Sequence, residues 1–194
     1  MSERIRSFIA VKLPSDLAER IETAQERLRG ADGNWKWVDP KSLHMTLKFL
    51  GAVARSDLDT LWKSVCEELE GSRAFTASFR GVGAFPNPNR PRVVWVGVAE
   101  GAAELAELAS RVEGACARHG FEREKRPFHA HLTLGRARRP GAGAGLGAEM
   151  KELEQAELGS MVVDRVLLMK SELTRAGAIH SILEEQALER GGRP

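Results

Sequence analysis

The chain has 194 residues and a mass of 21.3 kDa, enough for one domain whose hydrophobic core needs neither disulfides nor metals. Its residues are 42% hydrophobic and 29% charged, a composition that excludes a disordered or fibrous protein. Lysine and arginine number 29 against 27 acidic residues, so the net charge of +2 excludes bulk electrostatic coating of nucleic acid and leaves room for a local basic pocket.

The lack of a recognisable targeting signal and the placing of the two cysteines predict an intracellular protein. No segment approaches the length of a membrane span, and the N-terminus lacks the apolar core and cleavage site of a signal peptide. We therefore expect a cytoplasmic protein without membrane contact. Cys66 and Cys116 lie in helix-patterned segments without metal-ligand spacing, which predicts two reduced structural thiols. Nothing in the sequence suggests an obligate interface, so we expect a monomer.

The first half of the chain predicts alternating strands and helices. A capping serine and an apolar stripe predict a helix from Ser15 to Gly30, and a capping-box pattern at Ser56 opens a second helix. The β-rich run that contains His44 is expected to stop at Gly51. The predicted strands of this half cover residues 8–12, 35–38, 43–50 and 75–85.

The second half repeats this order of elements. Its predicted strands cover residues 93–98, 128–134 and 162–173, with helices from 105 to Gly120 and near 146–153. Aligning His44 with His131 gives an offset of 87 residues, and this offset places Phe8 on Trp95. The pattern predicts an internal duplication, with halves at about 5–85 and 92–173, inside a single domain that spans residues 1–194.

Two copies of one tetrapeptide stand at matching places in the two halves. They are His44-Met45-Thr46-Leu47 and His131-Leu132-Thr133-Leu134, and chance would produce such a pair on the order of once in ten thousand sequences of this composition. Side chains two residues apart on a strand share a face, so each motif presents an imidazole beside a hydroxyl. If the halves are related by a pseudo-twofold axis, the two strands can bring both pairs to a common groove.

This constellation favours phosphodiester chemistry. Histidine has an ordinary pKa near 6.5, so one imidazole can act as base while the other, protonated, acts as acid. Hydroxyl donors suit the non-bridging oxygens of a phosphate, whereas an acyl-transfer triad lacks its carboxylate. The motifs predict metal-free cleavage in which one histidine activates the nucleophile and the other protonates the leaving oxygen. A strained 2′,3′-cyclic phosphate is a substrate that such a pair can open.

Further side chains are candidates for binding the substrate. Arg136 offers a bidentate guanidinium to a phosphate, although strand alternation places it off the His131 face unless the strand bulges or ends near Gly135. Lys48 shares alternation with His44 and is interpreted as a site cation or a rim charge. Three aromatic residues are candidates for stacking on a base, with core packing as the commoner use: Phe8, Trp35 and Trp37.

Metal and nucleotide cofactors are not predicted. His129 and His131 form a His-x-His pair of a kind that zinc enzymes use, but His129 corresponds to Ser42 in the first half and neither motif contains a carboxylate. The glycine-rich stretch 141–147 lacks the Gly-Lys-Ser/Thr ending of a phosphate loop, and no Gly-x-Gly-x-x-Gly follows a strand, so neither ATP nor a dinucleotide is expected. His119 and His180 are interpreted as structural.

The chain resembles the RNA 2′,3′-cyclic phosphodiesterase family, also called 2′-5′ RNA ligases, within the two-histidine phosphoesterases. The resemblance covers nearly the whole chain. It is carried by Arg6-Ser7-Phe8-Ile9-Ala10-Val11, by His44-Met45-Thr46-Leu47-Lys48-Phe49-Leu50-Gly51, by residues 85–95 (FPNPNRPRVVW), and by His129-Ala130-His131-Leu132-Thr133-Leu134-Gly135-Arg136.

The resemblance implies an α+β fold of two pseudo-symmetric lobes, each an antiparallel sheet flanked by helices, with the active-site cleft between them. It implies opening of RNA 2′,3′-cyclic phosphates to 2′-phosphomonoesters without metal or ATP, on RNA ends that include tRNA halves, and reversible 2′-5′ ligation in several members. His44 would donate the proton to the leaving 3′ oxygen and His131 would activate water. Thr46 and Thr133 would hold the phosphate, with Arg136 assisting.

Two departures and two alternatives remain at this point. The chain has no tyrosine, and His180 stands in the last strand where relatives often carry an aromatic residue, so stacking from that side is in doubt. One alternative is a nucleotide-binding or RNA-end-binding module with negligible turnover. The other is a metal-dependent phosphodiesterase that uses His129 and His131.

Overall fold

The computed structural model describes residues 3–31, 34–139, 144–174 and 177–190. Within these ranges the chain forms nine strands and four α-helices in an α+β arrangement, which confirms the expected fold class. In chain order they are β1 (Arg4–Lys12), α1 (Ser15–Ala31), β2 (Trp35–Trp37), β3 (His44–Ala54), α2 (Arg55–Leu69), β4 (Phe75–Phe85), β5 (Val93–Val98), α3 (Ala102–Arg118), β6 (His131–Ala137), α4 (Gly147–Glu152), β7 (Glu157–Val163), β8 (Arg165–Leu173) and β9 (Ala178–Ala187).

The strands form two antiparallel sheets that exchange strands between the sequence halves. The first sheet has the order β3-β1-β8-β9, and the second has the order β2-β6-β5-β4-β7. Strands β2 and β4 come from the first half yet lie in the second sheet, while β8 comes from the second half and lies in the first sheet together with β9, which follows that half. Each lobe therefore draws on both halves of the sequence. The internal duplication itself stays a prediction.

The helices follow the predicted apolar stripes. In α1 the residues of the stripe, from Leu17 to Leu28, are buried, and the helix packs against β7 and α4. Helices α2 and α3 pack against each other, and α3 also contacts β3. The predicted capping box at Ser56 is wrong, because α2 begins one residue earlier, at Arg55, and its cap residue Ala54 makes no side-chain hydrogen bond.

Several predicted strand limits are also wrong. Strand β3 continues past Gly51 to Ala54, because a register shift between Ser7 and Phe8 inserts one extra residue there and Gly51 adopts a φ of 74°. Strand β6 begins at His131 and not at residue 128. The predicted strand 162–173 is two strands, since β7 ends at Val163 and β8 begins after Asp164 in the other sheet.

The predicted alignment of Phe8 with Trp95 is shifted by two residues. Lys12 pairs with His44 in the first sheet, and Gly97 pairs with His131 in the second. By register, the residue that corresponds to Trp95 is therefore Ala10. The offset of 87 residues holds between the motif strands β3 and β6, whereas β1 and β5 are related by an offset of 85.

The structure describes both cysteines and the helices that a membrane span would need. Cys66 and Cys116 are both free, and burial raises the pKa of Cys116 to about 11, which makes it an unreactive thiol at neutral pH. Within the described ranges, no helix is long and apolar enough to cross a membrane.

Candidate active site

The two motif strands carry a β-bulge at the same position. In the first sheet Ile9 pairs with Lys48 and Ala10 pairs with Thr46, so Leu47 is an extra residue on β3. In the second sheet Val94 pairs with Gly135 and Trp95 pairs with Thr133, which makes Leu134 the extra residue on β6. Each bulge follows the motif threonine directly, and each resets the alternation of side chains beyond it.

The bulge on β3 reverses the expected positions of Lys48 and Phe49. Lys48 turns into the interior, where only 8% of its surface is exposed, and Phe49 comes to the same face as His44 and Thr46 with 63% exposed. The interpretation of Lys48 as a site cation or rim charge is therefore wrong. An exposed phenyl ring stands beside the first motif in its place.

The bulge on β6 brings Arg136 to the face that carries His131 and Thr133. The sequence pattern placed Arg136 on this face only if the strand bulged or ended near Gly135, and the bulge at Leu134 meets that condition. Arg136 is exposed, and by the shared offset it occupies the position that Phe49 has in the first sheet. The two sheets thus present an arginine and a phenylalanine at equivalent places beside their His-x-Thr pairs.

A buried glutamine supports the bulge on β6. The side chain of Gln25 on α1 is completely buried, and its Nε2 donates to the carbonyl oxygens of Leu134 at 2.9 Å and Val38 at 2.8 Å. Leu134 is the bulge residue, and its carbonyl also accepts the backbone N–H of Val38 at 2.8 Å, so the buried amide is a second donor to this oxygen. Gln25 lies between the stripe residues Ala24 and Leu28, and the apolar periodicity gave no signal for its role.

A buried ion pair lies behind the bulge on β3. Lys48 Nζ is 2.6 Å from Glu113 Oε1 on α3 and donates to the carbonyl oxygen of Glu122 at 2.7 Å. The same Glu113 oxygen accepts from the backbone N–H of Glu124 at 3.1 Å. The pair ties β3, which carries the first histidine, to the segment of chain that leads into His131.

Both motif histidines are held in the same way. His44 Nδ1 lies 2.7 Å from the carbonyl oxygen of Ser42, and His131 Nδ1 lies 2.7 Å from that of His129. A carbonyl can only accept, so Nδ1 carries the proton in each ring and Nε2 is the nitrogen left for proton transfer. Both imidazoles are partly buried, as are Thr46 and Thr133.

The environment lowers the pKa of both histidines. Burial is the largest cause in each case, and the hydrogen bond to the carbonyl oxygen opposes it. Neighbouring charge lowers the pKa further, from His180 on His44 and from His129 on His131. The positive charge of Arg136 is a smaller cause that lowers the pKa of both imidazoles. Strands β3 and β6, which carry the two motifs, also contact each other.

Residues 13–175 match the family model described as the 2′-5′ RNA ligase superfamily. The chain belongs to this superfamily. The RNA 2′,3′-cyclic phosphodiesterase of Methanothermobacter thermautotrophicus is 39% identical over 181 residues, which are 93% of this chain and 97% of the relative. The RNA 2′,3′-cyclic phosphodiesterase of Archaeoglobus fulgidus is 37% identical over 179 residues, which are 92% and 98% of the two chains. The family resemblance of the sequence is thereby confirmed.

Solved structures show the same fold at lower identity. E. coli LigT complexed with 3′-AMP superposes with a TM-score of 0.76 at 26% identity, covering 96% of this chain and 99% of LigT. The protein TT0787 of Thermus thermophilus superposes with a TM-score of 0.77 at 28% identity, covering 94% and 97%. LigT has also been solved in complexes with ATP and NADP+.

Phe8 is buried beside the first motif histidine. Its ring centroid lies 4.8 Å from that of His44 and 5.0 Å from that of His180, and only 3% of its surface is exposed. Trp35 is equally enclosed, with 2% exposed. Phe8 therefore packs against the His44 imidazole, and Phe49, whose ring centroid lies 6.2 Å from that of Phe8, is the exposed ring at this place.

Aromatic rings enclose the second histidine as well. The His131 ring lies 5.1 Å from Phe85 and 6.3 Å from Trp95, and Trp95 lies across Gly83, where any Cβ would collide with the indole. His129 is exposed, precedes β6, and has its ring 5.9 Å from that of His131. Among the described residues, no group of three or more His, Cys, Asp or Glu side chains has a metal-binding arrangement.

Sequence reasoning missed two residues near His44. His180, interpreted as structural, comes from β9 and has its ring 5.2 Å from the His44 ring. The exposure of Phe49 was not predicted, because strict alternation of side chains along the strand places this residue in the interior. A period-two pattern cannot detect either contact, since one depends on strand exchange between the halves and the other on a bulge.

Proposed function

We propose that the protein hydrolyses the 2′,3′-cyclic phosphate ends of RNA to 2′-phosphomonoesters with His44 and His131 as the acid–base pair and without a metal. Membership of the superfamily and the curated relatives support an enzyme of the RNA 2′,3′-cyclic phosphodiesterase type. The observation that carries the two-histidine mechanism is the matched geometry of the motifs: each Nδ1 is engaged by a carbonyl, and each Nε2 is left for the substrate.

The proton transfers balance in a single displacement. His131 Nε2 takes a proton from water as its oxygen attacks phosphorus, and His44 Nε2–H gives a proton to the 3′ oxygen as the P–O3′ bond breaks. The products are a 2′-phosphate and a free 3′-hydroxyl. This assignment of donor and acceptor follows the family resemblance. An RNA 5′-hydroxyl that attacks in place of water gives a 2′-5′ linkage, the reaction for which the superfamily is named.

The lowered pKa values fit a site in which a histidine becomes protonated when the substrate binds. Both imidazoles are neutral at pH 7 in the free protein, which suits His131 as a base. The negative phosphate raises the pKa of a histidine beside it, so substrate binding favours the protonated His44 that the acid step needs. Thr46, Thr133 and Arg136 supply donors to the non-bridging oxygens, where charge accumulates in the transition state.

Phe49 supplies the exposed aromatic face for a base of the RNA. It lies beside the first motif, is 63% exposed and is not part of the core, in contrast to Phe8. Aromatic faces bind nucleobases by stacking with little sequence preference. E. coli LigT, a structural relative, has been solved with 3′-AMP, which supports a nucleotide end as ligand. Transfer RNA halves as substrates, the cytoplasmic location and the monomeric state stay predictions.

The test is to incubate the protein in excess EDTA with a short RNA ending in a 2′,3′-cyclic phosphate and to identify the product by phosphorus NMR. We expect a 2′-monophosphate, formed at the same rate in EDTA as without it. A 3′-monophosphate would contradict the direction of ring opening. Activity that appears only after zinc or manganese is added would favour the metal-dependent alternative. Binding without turnover under either condition would favour the binding module.

A further inference from the structure

Two cations face each other across neighbouring strands beside the site. Lys36 on the edge strand β2 pairs directly with Arg136 on β6, so the two side chains share one face of the sheet. That face also carries His131 and Thr133, because the β6 bulge turns Arg136 toward them. Both cations are exposed. Like charges placed directly opposite each other destabilise a sheet unless an anion lies between or above them.

A third cation lies along the ribbon formed by strands β2 and β6. Arg138 Nε donates to the carbonyl oxygen of Trp35 at 3.2 Å, which holds the guanidinium over β2 next to Lys36. In the part of the chain that the structure describes, none of these three cations forms an ion pair. The nearby carboxylate of Asp39 instead accepts the backbone N–H of Lys41 at 2.9 Å. The ribbon therefore presents a row of positive charge that starts at the candidate site and runs to the sheet edge.

We propose that Lys36 binds the phosphodiester immediately 5′ to the reacting nucleotide. This inference rests on the proposed function. In a 2′,3′-cyclic end the 3′ oxygen is part of the ring, so the terminal nucleotide is joined to another phosphate only through its 5′ oxygen. With the cyclic phosphate held by the motifs and Arg136, Lys36 is the cation one strand further from the histidines.

The proposed subsite has a definite chemical preference. A lysine ammonium acts as a point charge on a phosphate oxygen and does not read the base. It therefore distinguishes an RNA end, which has a 5′ phosphodiester, from a free cyclic mononucleoside, which has none. Because the contact is remote from the reacting bond, it changes binding of the whole nucleotide and leaves the acid–base pair untouched.

The test compares two small substrates that differ by one phosphate: adenosine 2′,3′-cyclic phosphate with and without a 5′-phosphate. For the wild type we expect kcat/KM to be about 10-fold higher with the 5′-phosphate, the scale of one charge-assisted contact at an exposed site. Lys36→Ala is expected to remove this preference and to leave turnover of the plain cyclic nucleotide unchanged. Lys36→Arg is expected to retain it. Lys63→Ala, an exposed lysine on α2, is the matched control.

Salt dependence gives a second readout on an RNA substrate. Loss of one phosphate contact is expected to reduce the slope of log kcat/KM against log salt by about 0.7 for Lys36→Ala. A wild type that hydrolyses the plain cyclic nucleotide without any preference for the 5′-phosphate overturns the inference. So does a Lys36→Ala variant that keeps the preference. A protein that hydrolyses neither these nucleotides nor the RNA end contradicts the proposed function instead.

Discussion

Replacement of Lys48 by methionine removes the cation of the buried ion pair behind β3 while keeping a chain of similar length and shape. Only 8% of the lysine side chain and 16% of the Glu113 side chain are exposed, so the remaining carboxylate stays largely buried without its partner. Breaking a buried pair in this way typically costs 3–5 kcal/mol, and we expect about 3 kcal/mol here, because Glu113 keeps the Glu124 N–H and some contact with water.

The cost is measurable as a loss of thermal stability. For a chain of this size, about 3 kcal/mol corresponds to a fall of roughly 6–12 °C in Tm, to be measured by scanning calorimetry and urea unfolding. Lys63→Met is the control: this lysine is exposed on α2, and the change is expected to stay within about 0.5 kcal/mol.

A double variant separates the ion pair from the packing of the lysine chain. Adding Glu113→Gln to Lys48→Met removes the uncompensated carboxylate, so the double variant is expected to be about 1–3 kcal/mol more stable than the sum of the single changes predicts. A Lys48→Met protein with the Tm of the Lys63→Met control would refute the reasoning, as would strict additivity in the cycle.

Two further outcomes are expected. The lowered pKa values of His44 and His131 mean that the unfolded chain binds protons first as the pH falls below about 6.5, so the free energy of unfolding should decrease there by up to about 1.4 kcal/mol per pH unit for each histidine. Urea unfolding between pH 7.5 and 5.5 should show a flatter dependence when both are replaced by glutamine, and an equal slope would contradict the assignment. Phe49→Ala should weaken binding of 2′-AMP about 10-fold in calorimetric titration with little change in Tm, since the ring is 63% exposed, whereas a large fall in Tm with unchanged affinity would show a core role.

The sequence predicted best those strands and helices that depend on a local residue pattern. The His-x-Thr repeat located both motif strands at the correct offset, and the apolar stripes located three long helices that the structure confirms. These signals depend on local periodicity, which survives whatever the rest of the fold does. The family membership, which the comparisons confirm, was carried by the same motifs.

The exchange of strands between the lobes could not be read from the order of elements. A strand such as β4 has the same pattern whether it pairs within its own half or crosses to the other sheet. The contact of His180 with His44 depends on this exchange, since β9 reaches the first sheet only through β8. A structural interpretation of His180 was therefore the natural one from sequence.

The bulges explain the remaining differences at the site. One extra residue at Leu47 exchanged the expected positions of Lys48 and Phe49, and one at Leu134 decided the position of Arg136. A bulge has no reliable local sequence signature, because its cost is offset by distant partners. Here those partners are Gln25 for β6 and the Lys48 ion pair for β3, both of which come from other elements of the fold.

The most direct test of the two-histidine mechanism is to measure turnover of His44→Ala and His131→Ala on an RNA 2′,3′-cyclic phosphate end in EDTA, with 2′-AMP binding as the check on the fold. Each variant is expected to lose about 100-fold or more in kcat, the usual scale for removing a general acid or base, while still binding the product. A near-wild-type rate in either folded variant would contradict the central claim.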